Sequence, residues 1–254
     1  MLLKLYMHMK IKLLGKNLEE LKKLVADAGL PGFTAKQIAQ WLYVKKVRSI
    51  DDMTNLSKAA RAALSEKYEV GVTPYAGLQV SSDGTKKYLF PVKCSHRRGL
   101  NPVCSEEELE AGAIEAVMIP DDDRATLCVS SQSGCRMGCK FCATARLGLK
   151  HSLSTCDILN QIASLPERDR LTNVVFMGMG EPLDNIDNVL AALEIITADW
   201  GMAWSPTRIT LSTAGVAREL ERFLTSTKVH LAVSLHNPFS EQRAEIMPIE
   251  KAYP

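Results

Sequence analysis

Apolar positions along residues 17–68 recur at helical spacing. Leu18, Leu21, Leu24 and Val25 form one stripe. Asn17, with Glu20 three positions on, reads as a capping box at the start of that helix, and Gly29-Leu30-Pro31-Gly32 as its stop. Thr34 with Gln37 predicts a second capping box ahead of Ile38, Trp41 and Leu42. A third, Ala- and Leu-rich helix is expected from about Ser57 to Tyr68. Three short helices joined by tight turns predict a small bundle over residues 1–70. The pattern then changes. Leu78–Val80, Lys87–Val92 and Ala113–Ile119 read as strands, with Ser82-Asp83-Gly84 as a turn between the first two. Lys93–Gly112 has no period and reads as a long loop, so residues 71–120 are expected to form a β-rich connector. From Arg124 onward β-rich runs alternate with helical ones. The strands are Ala125–Ser131, Asn173–Met177, Arg208–Ser212 and Val229–Leu235. The helices are Thr155–Leu165, Ile186–Ala198, Val216–Leu224 and Glu241–Ile246. Four βα units in a row predict an α/β body over residues 121–254. Its sheet is parallel with right-handed crossovers, open or curled toward a barrel, with functional loops at the C-terminal strand ends.

Composition adds two constraints. With 46% hydrophobic and 24% charged residues the chain is globular in type. Its charge is uneven: residues 1–70 hold 13 Lys and Arg against 7 Asp and Glu, and the remainder 18 against 22. A basic N-terminal module on a mildly acidic body suits a polyanion, although a solvated helical surface gives the same count. Lys4, Lys10 and Lys12 interrupt the apolar start, no small-residue cleavage site follows, and no run is long enough to span a membrane. A cytoplasmic protein is therefore expected, with its seven cysteines as thiols or ligands and not disulfide staples.

Three of those cysteines carry the candidate chemistry. Cys135, Cys139 and Cys142 are spaced C-x3-C-x2-C directly after the first βα strand. Soft thiolates select zinc or iron–sulfur. Structural zinc and ferredoxin clusters take four ligands, and only three are present locally. Three ligands on a four-iron cube leave one iron open to bind a substrate group. Gly134 and Gly138 permit a tight backbone path around it.

The motif resembles the signature of the radical S-adenosylmethionine (SAM) superfamily, including an aromatic residue, Phe141, before the third cysteine. The resemblance implies a [4Fe–4S] cluster on Cys135, Cys139 and Cys142, with SAM chelated at the open iron and its adenine beside Phe141. Met177-Gly178-Met179-Gly180-Glu181-Pro182 is similar to the superfamily's GxGEP segment, which implies that Gly180 and Glu181 meet the SAM amino group. Ser212 at the third strand end and Ser234, Leu235 and His236 at the fourth resemble residues that touch the SAM ribose and carboxylate. By itself, His236 would read as a structural histidine.

The resemblance narrows further. Gly29-Leu30-Pro31, Ala35-Lys36-Gln37-Ile38, Gln40-Trp41-Leu42 and Met53-Thr54-Asn55-Leu56-Ser57 resemble the N-terminal domain of RlmN-type methyltransferases. Leu127–Gln132, Phe141-Cys142-Ala143-Thr144, Asn173–Leu183 and Val233–His236 continue the likeness. It implies a partial radical SAM barrel with four of six βα units behind a small helix-hairpin-helix-like RNA-binding domain. It also implies methylation of C2 of an adenosine in 23S rRNA and, in some members, in tRNA. In such enzymes one SAM methylates a cysteine near the C-terminus, and a second supplies the radical. Glu115 matches the general base, and Cys128 the cysteine that resolves a crosslink by disulfide formation. A flavodoxin-type electron donor and a monomeric state are further expectations. Cys94, Cys104 and Cys156 have no counterpart and read as ordinary thiols. No cysteine follows Cys156, and relatives of this type continue through two more βα units, so the sequence is expected to be an incomplete fragment. Ala145-Arg146-Leu147-Gly148-Leu149 and the 93–112 loop also depart from the type. A related adenine-C8 methyltransferase, a catalytically inactive RNA-binding remnant and a simple electron carrier are the alternative readings.

Overall fold

The structure is a computed structural model, and it describes residues 10–92 and 112–254. Cys94, Cys104 and the rest of the expected loop up to residue 111 fall outside the described residues. The chain divides into two compact units. One comprises the chain up to Thr73 together with Glu194–Trp204, and the other Pro74–Leu193 with Ser205–Pro254.

In the first unit α1 spans Leu18–Asp27 and carries the expected capping box. The Asn17 side chain accepts from the Glu20 amide at 2.9 Å, and the Glu20 carboxylate accepts from the Asn17 amide at 2.9 Å. Leu21 and Val25 are buried on its apolar face. Helix α2, Thr34–Ala39, corrects the second cap. Phe33 holds the N-cap position in a helical conformation, and Thr34 is buried inside the first turn with no capping bond. The preceding turn already supplies acceptors, since the Thr34 and Ala35 amides reach the Pro31 and Gly32 carbonyls, and a hydroxyl cap has no place to act. Helix α2 widens into a π-turn at Gln40–Val44 that buries Trp41, Leu42 and Tyr43. Helix α3, Lys58–Lys67, starts on Ser57, whose Oγ accepts from the Ala60 amide. A short parallel pair went unforeseen: β1, Ile11–Lys12, on β2, Tyr68–Glu69.

The second unit is built on one seven-stranded mixed sheet. In chain order its strands are β3 (Gly77–Val80), β4 (Lys86–Pro91), β5 (Ala113–Asp121), β6 (Arg124–Cys128), β9 (Asn173–Phe176), β10 (Ile209–Thr213) and β11 (His230–Val233). They lie in the order β11-β10-β9-β6-β5-β4-β3. The pairs β6–β9, β9–β10 and β10–β11 are parallel, and those from β6 outward to β3 are antiparallel. The four successive βα strands thus form the parallel half as expected. The stretch expected to form a connector of its own is instead hydrogen-bonded into the same sheet. Strand β5 pairs with β6 from Val117↔Cys128 to Asp121↔Arg124, because a short hairpin joins them. Helices α5 (Thr155–Ala163), α6 (Ile186–Thr197) and α7 (Ala217–Ser226) make the connections, and α8 (Ser240–Ile246) follows β11. Leu127, Val174, Phe176, Ile209 and Leu211 are buried on one sheet face, together with Ile158, Leu159 and Ile162 of α5. Alternation places Glu115, Val117, Thr126, Cys128, Val175, Thr210 and Ser212 on the other, less buried face.

Among the antiparallel strands a polar group is held in the core. The fully buried Tyr88 donates to Glu167 Oε2 at 2.6 Å, and Lys86 closes on the other carboxylate oxygen. Burial pushes the Glu167 carboxyl up, but hydrogen bonds from Lys86 and Tyr88 outweigh it and hold the group below the usual carboxylate range. Burial and the same carboxylate push the Tyr88 phenol up. A folded-state value below the unfolded one stabilises above the unfolded value, and the gain is lost as pH falls through the folded value. Glu167→Gln is therefore expected to cost about 1.5–3 kcal/mol at neutral pH in urea unfolding. Its stability should also fall less steeply than that of the wild type below pH 4.5.

Candidate cluster and cofactor site

After β6 the chain forms β7, Gln132–Ser133, which pairs antiparallel with β8, His151–Ser152. The loop between them carries all three motif cysteines and a short helix, α4, Ala143–Arg146. Two glycines shape it. Gly134 has φ 75°, and a Cβ there would lie 1.7 Å from the Gly148 carbonyl oxygen. Gly138 has φ 72°. The Lys140 amide donates to the Ile246 carbonyl at 2.9 Å, tying the loop to the end of α8. Cys135 is buried, and Cys139 and Cys142 are half-buried. Burial pushes the Cys135 thiol up to about 11, and negative charge on Glu181, Cys139 and Cys142 adds to the shift. Cys139 is raised by burial and then by charge on Cys142. Among the described residues no three Cys, His, Asp or Glu side chains form a metal-binding group.

Beyond β9, Gly180 sits at φ 96°, and a Cβ there would lie 2.5 Å from Gln132 Cβ. Glu181 is only 4% exposed. Its carboxylate accepts from Thr213 Oγ1 at 2.7 Å and from the Ala214 and Leu183 amides at 2.7 and 3.1 Å. Burial still raises it above the usual carboxylate range, with the Ala214 and Thr213 bonds acting against that. The structure thus places the Glu181 side chain as a brace between the ends of β9 and β10, while Gly180 packs against β7.

The remaining strand ends meet in pairs. Ser212 Oγ and Ser234 Oγ are 3.4 Å apart. Phe141, on the cysteine loop, stacks on His236, with ring centroids 4.5 Å apart at 45°. His236 holds its place at φ 56°, a strained conformation for a non-glycine residue. Leu235 is exposed, and its carbonyl accepts from Arg243 Nε.

Glu115 and Cys128 share the less buried sheet face. Cys128 pairs with Val117, two residues from Glu115 on the same strand. The Glu115 carboxylate forms an ion pair with Lys87 Nζ at 3.0 Å, and Ser130 Oγ donates to its backbone carbonyl at 2.6 Å. Burial raises the Cys128 thiol. Among the described residues, Cys128, Cys135, Cys139 and Cys142 are free thiols.

Comparison with known proteins accounts for both units. Residues 11–70 match the family model described as ribosomal RNA large subunit methyltransferase N-terminal domain, and residues 129–252 match the radical SAM superfamily. A Bacteroides fragilis protein, described as a probable dual-specificity RNA methyltransferase RlmN, is 54% identical over 96% of this chain and 66% of its own length. The dual-specificity RNA methyltransferase RlmN of Geotalea uraniireducens is 41% identical over 96% of this chain and 67% of its own. The crystal structure of a radical SAM methyltransferase from Sphaerobacter thermophilus superposes with a TM-score of 0.83. It is 33% identical and covers 96% of this chain and 69% of that one.

The chain belongs to the RlmN family.

It spans about two thirds of the length of the curated RlmN proteins it matches. The α/β unit is accordingly a partial radical SAM barrel, four parallel strands extended by three antiparallel ones. An iron–sulfur group, which the superfamily implies in general, fits the residues present. Three thiols carried on one loop are the soft donor set that iron or zinc takes. No helix among the described residues is long and apolar enough to cross a membrane.

Sequence reasoning missed the residues that hold this RlmN-family site together. Arg243, buried in α8, donates to the Ala214, Ser234 and Leu235 carbonyls and pairs with Glu250. Hydrogen bonds from Ser240 and Arg243 hold the Glu250 carboxyl low. Gln161 bonds both the amide and the carbonyl of Ser130, and Asn185 donates to the Ser131 and Leu153 carbonyls. Each is a polar residue at a buried helix position. That is the one signal the sequence offers for them, and it names no partner.

Proposed function

We propose that this protein is the cluster- and SAM-binding part of a radical SAM methyltransferase acting on C2 of an adenosine in 23S rRNA, and in tRNA. The observation that carries the reading is the three-thiol loop between β7 and β8. It is set against the Gly180–Glu181 turn and closed by the Phe141–His236 stack. Cys135, Cys139 and Cys142 hold a [4Fe–4S] cluster in this reading. When bound together, cluster and SAM would supply the one-electron chemistry that removes a hydrogen atom from a methyl group. Gly180, Ser212, Ser234, Leu235 and His236 line the place for SAM, with its adenine beside Phe141. Glu181 supports it by fixing the two strand ends. Glu115 lies on the less buried sheet face and takes the C2 proton, and the ion pair with Lys87 holds its carboxylate in place. Cys128 shares that face; in a protein extended by the methyl-carrying cysteine it attacks that cysteine's sulfur, and the disulfide forms as the bond from sulfur to the base-linked carbon breaks, leaving the methyl group on the base. The basic first 70 residues hold the RNA, and a flavodoxin-type protein delivers the electron.

The sequence has no cysteine after Cys156 to carry the methyl group, so the test reads assembly and binding. Anaerobic reconstitution of the full chain should give about four irons per chain. SAM should change the EPR spectrum of the reduced cluster. A chain that takes up no iron, or a cluster whose spectrum ignores SAM, overturns the proposal. For a protein extended by the methyl-carrying cysteine, mass mapping of the modified base separates C2 from C8.

A further inference from the structure

Asp184 has no role in the site as built so far, yet its carboxylate is held beside the cysteine loop with little access to solvent. It lies two residues after Pro182, on the 3-10 turn Pro182–Asn185, and its side chain is only 3% exposed. Arg136, the residue after Cys135, places both Nε and Nη2 on Asp184 Oδ1, the Nε at 3.1 Å. Gln132, three residues before Cys135, donates from Nε2 to Asp184 Oδ2 at 2.9 Å. The same Gln132 side chain accepts from the Glu181 amide at 3.0 Å, and its Cβ is the atom that excludes any side chain from Gly180. One carboxylate therefore grips the chain on both sides of the most buried motif cysteine. The amide that completes the grip is also bonded to the Gly180–Glu181 turn.

We propose that Asp184, with Arg136 and Gln132, is a positioning latch that fixes Cys135 relative to the Gly180–Glu181 turn. The cluster loop and the cofactor turn then keep one geometry. The proposal rests on the cluster assignment above and deepens it. The physical case is a carboxylate with little access to solvent whose oxygens are both taken up, Oδ1 by Arg136 and Oδ2 by Gln132. Removing the guanidinium leaves Oδ1 without its donor in a poorly solvated place, beside a cluster ligand. Partners one step beyond the ligands typically change metal affinity by about 10–100-fold. Arg136 is more than half exposed, so its replacement removes the latch without opening the core.

The test uses the full chain, reconstituted anaerobically and challenged with a ferrous chelator. The set is wild type, Arg136→Met, Asp184→Asn, the double variant, Arg136→Lys, and Arg222→Met as a surface-pair control, since Arg222 binds the exposed Asp187. Arg136→Met and Asp184→Asn should each lose iron about tenfold faster than wild type, and the double variant no faster than the worse single one. Arg136→Lys should recover most of the loss, and Arg222→Met should behave as wild type. At equal iron content, the SAM-induced change in the EPR spectrum should be weaker in the two latch variants. Thermal melts identify an Asp184→Asn chain that fails to fold, and Arg136→Met then carries the comparison. Wild-type iron loss in Arg136→Met, or effects that multiply in the double variant, overturns the latch alone. A wild-type chain that binds no iron overturns the cluster assignment and the latch with it.

Discussion

Serine at any one of Cys135, Cys139 or Cys142 is expected to reduce the reconstituted chain from about four irons to fewer than about one, with loss of the visible cluster absorbance. Two thiolates and a hydroxyl are a poor match for iron that is held by soft sulfur donors. The buried position of Cys135 makes its replacement the most complete of the three. Cys128→Ser and Cys156→Ser should retain full iron, because neither residue lies on the loop between β7 and β8. Iron and sulfide analysis with an absorbance spectrum reads all five variants. Full iron in Cys135→Ser, or equal loss in Cys128→Ser, would contradict the ligand set.

A second large effect should come from a single methyl group. Gly134 and Gly138 have nearly the same φ, so alanine at either meets the same backbone strain, about 1–2 kcal/mol. Their surroundings differ. A Cβ on Gly134 would lie 1.7 Å from the Gly148 carbonyl oxygen, which cannot withdraw while Lys150 N is bonded to Ser133 O at 2.8 Å. A Cβ on Gly138 would meet nothing nearer than Pro248 Cγ at 3.6 Å. Gly134→Ala should therefore cost about 4 kcal/mol or more, or prevent folding of the β7–β8 pair. Gly138→Ala should cost only the strain. Denaturant unfolding compares the two, and equal costs would show that the loop relaxes around Gly134.

The parts of this molecule that were legible in the sequence are those that repeat or sit close together. The capping box at Asn17 needs only residues three apart, and it formed as read. The alternation of strand and helix from Arg124 onward produced the parallel half of the sheet, with strand ends shifted by one to three residues. The three cysteines lie within eight positions, so their shared loop could be read directly. Thr34 was misread because the capping signature ignores what precedes it, and there a turn had already satisfied the amides. The joining of β5 to β6 was missed because a strand's period fixes its faces and not its neighbour. Arg243 with Glu250 and Asp184 with Arg136 were invisible for a related reason. A polar pair 7 or 48 positions apart leaves no periodic trace. Glu115 and Cys128 owed their selection to a family likeness. The structure adds what the sequence could not, a common sheet face and the Lys87 ion pair.

The mixed sheet has a bearing on how this protein comes to hold its cysteines in order. Antiparallel neighbours such as β5 and β6 are separated by a short hairpin and can pair as soon as both leave the ribosome. The contact of β6 with β9 requires some 45 intervening residues, including all of α5, to be made and folded back. The cysteine loop lies inside that interval. Its anchors, Met179 accepting from the Ser131 and Gln132 amides and Ile246 accepting from Lys140, come from still later in the chain. During synthesis the three thiols therefore exist for some time just beyond a strand that is already paired at one edge and still open at the other. In that interval they are accessible to metal delivery and equally to oxidation, and the arrival of β9 and α8 ends both.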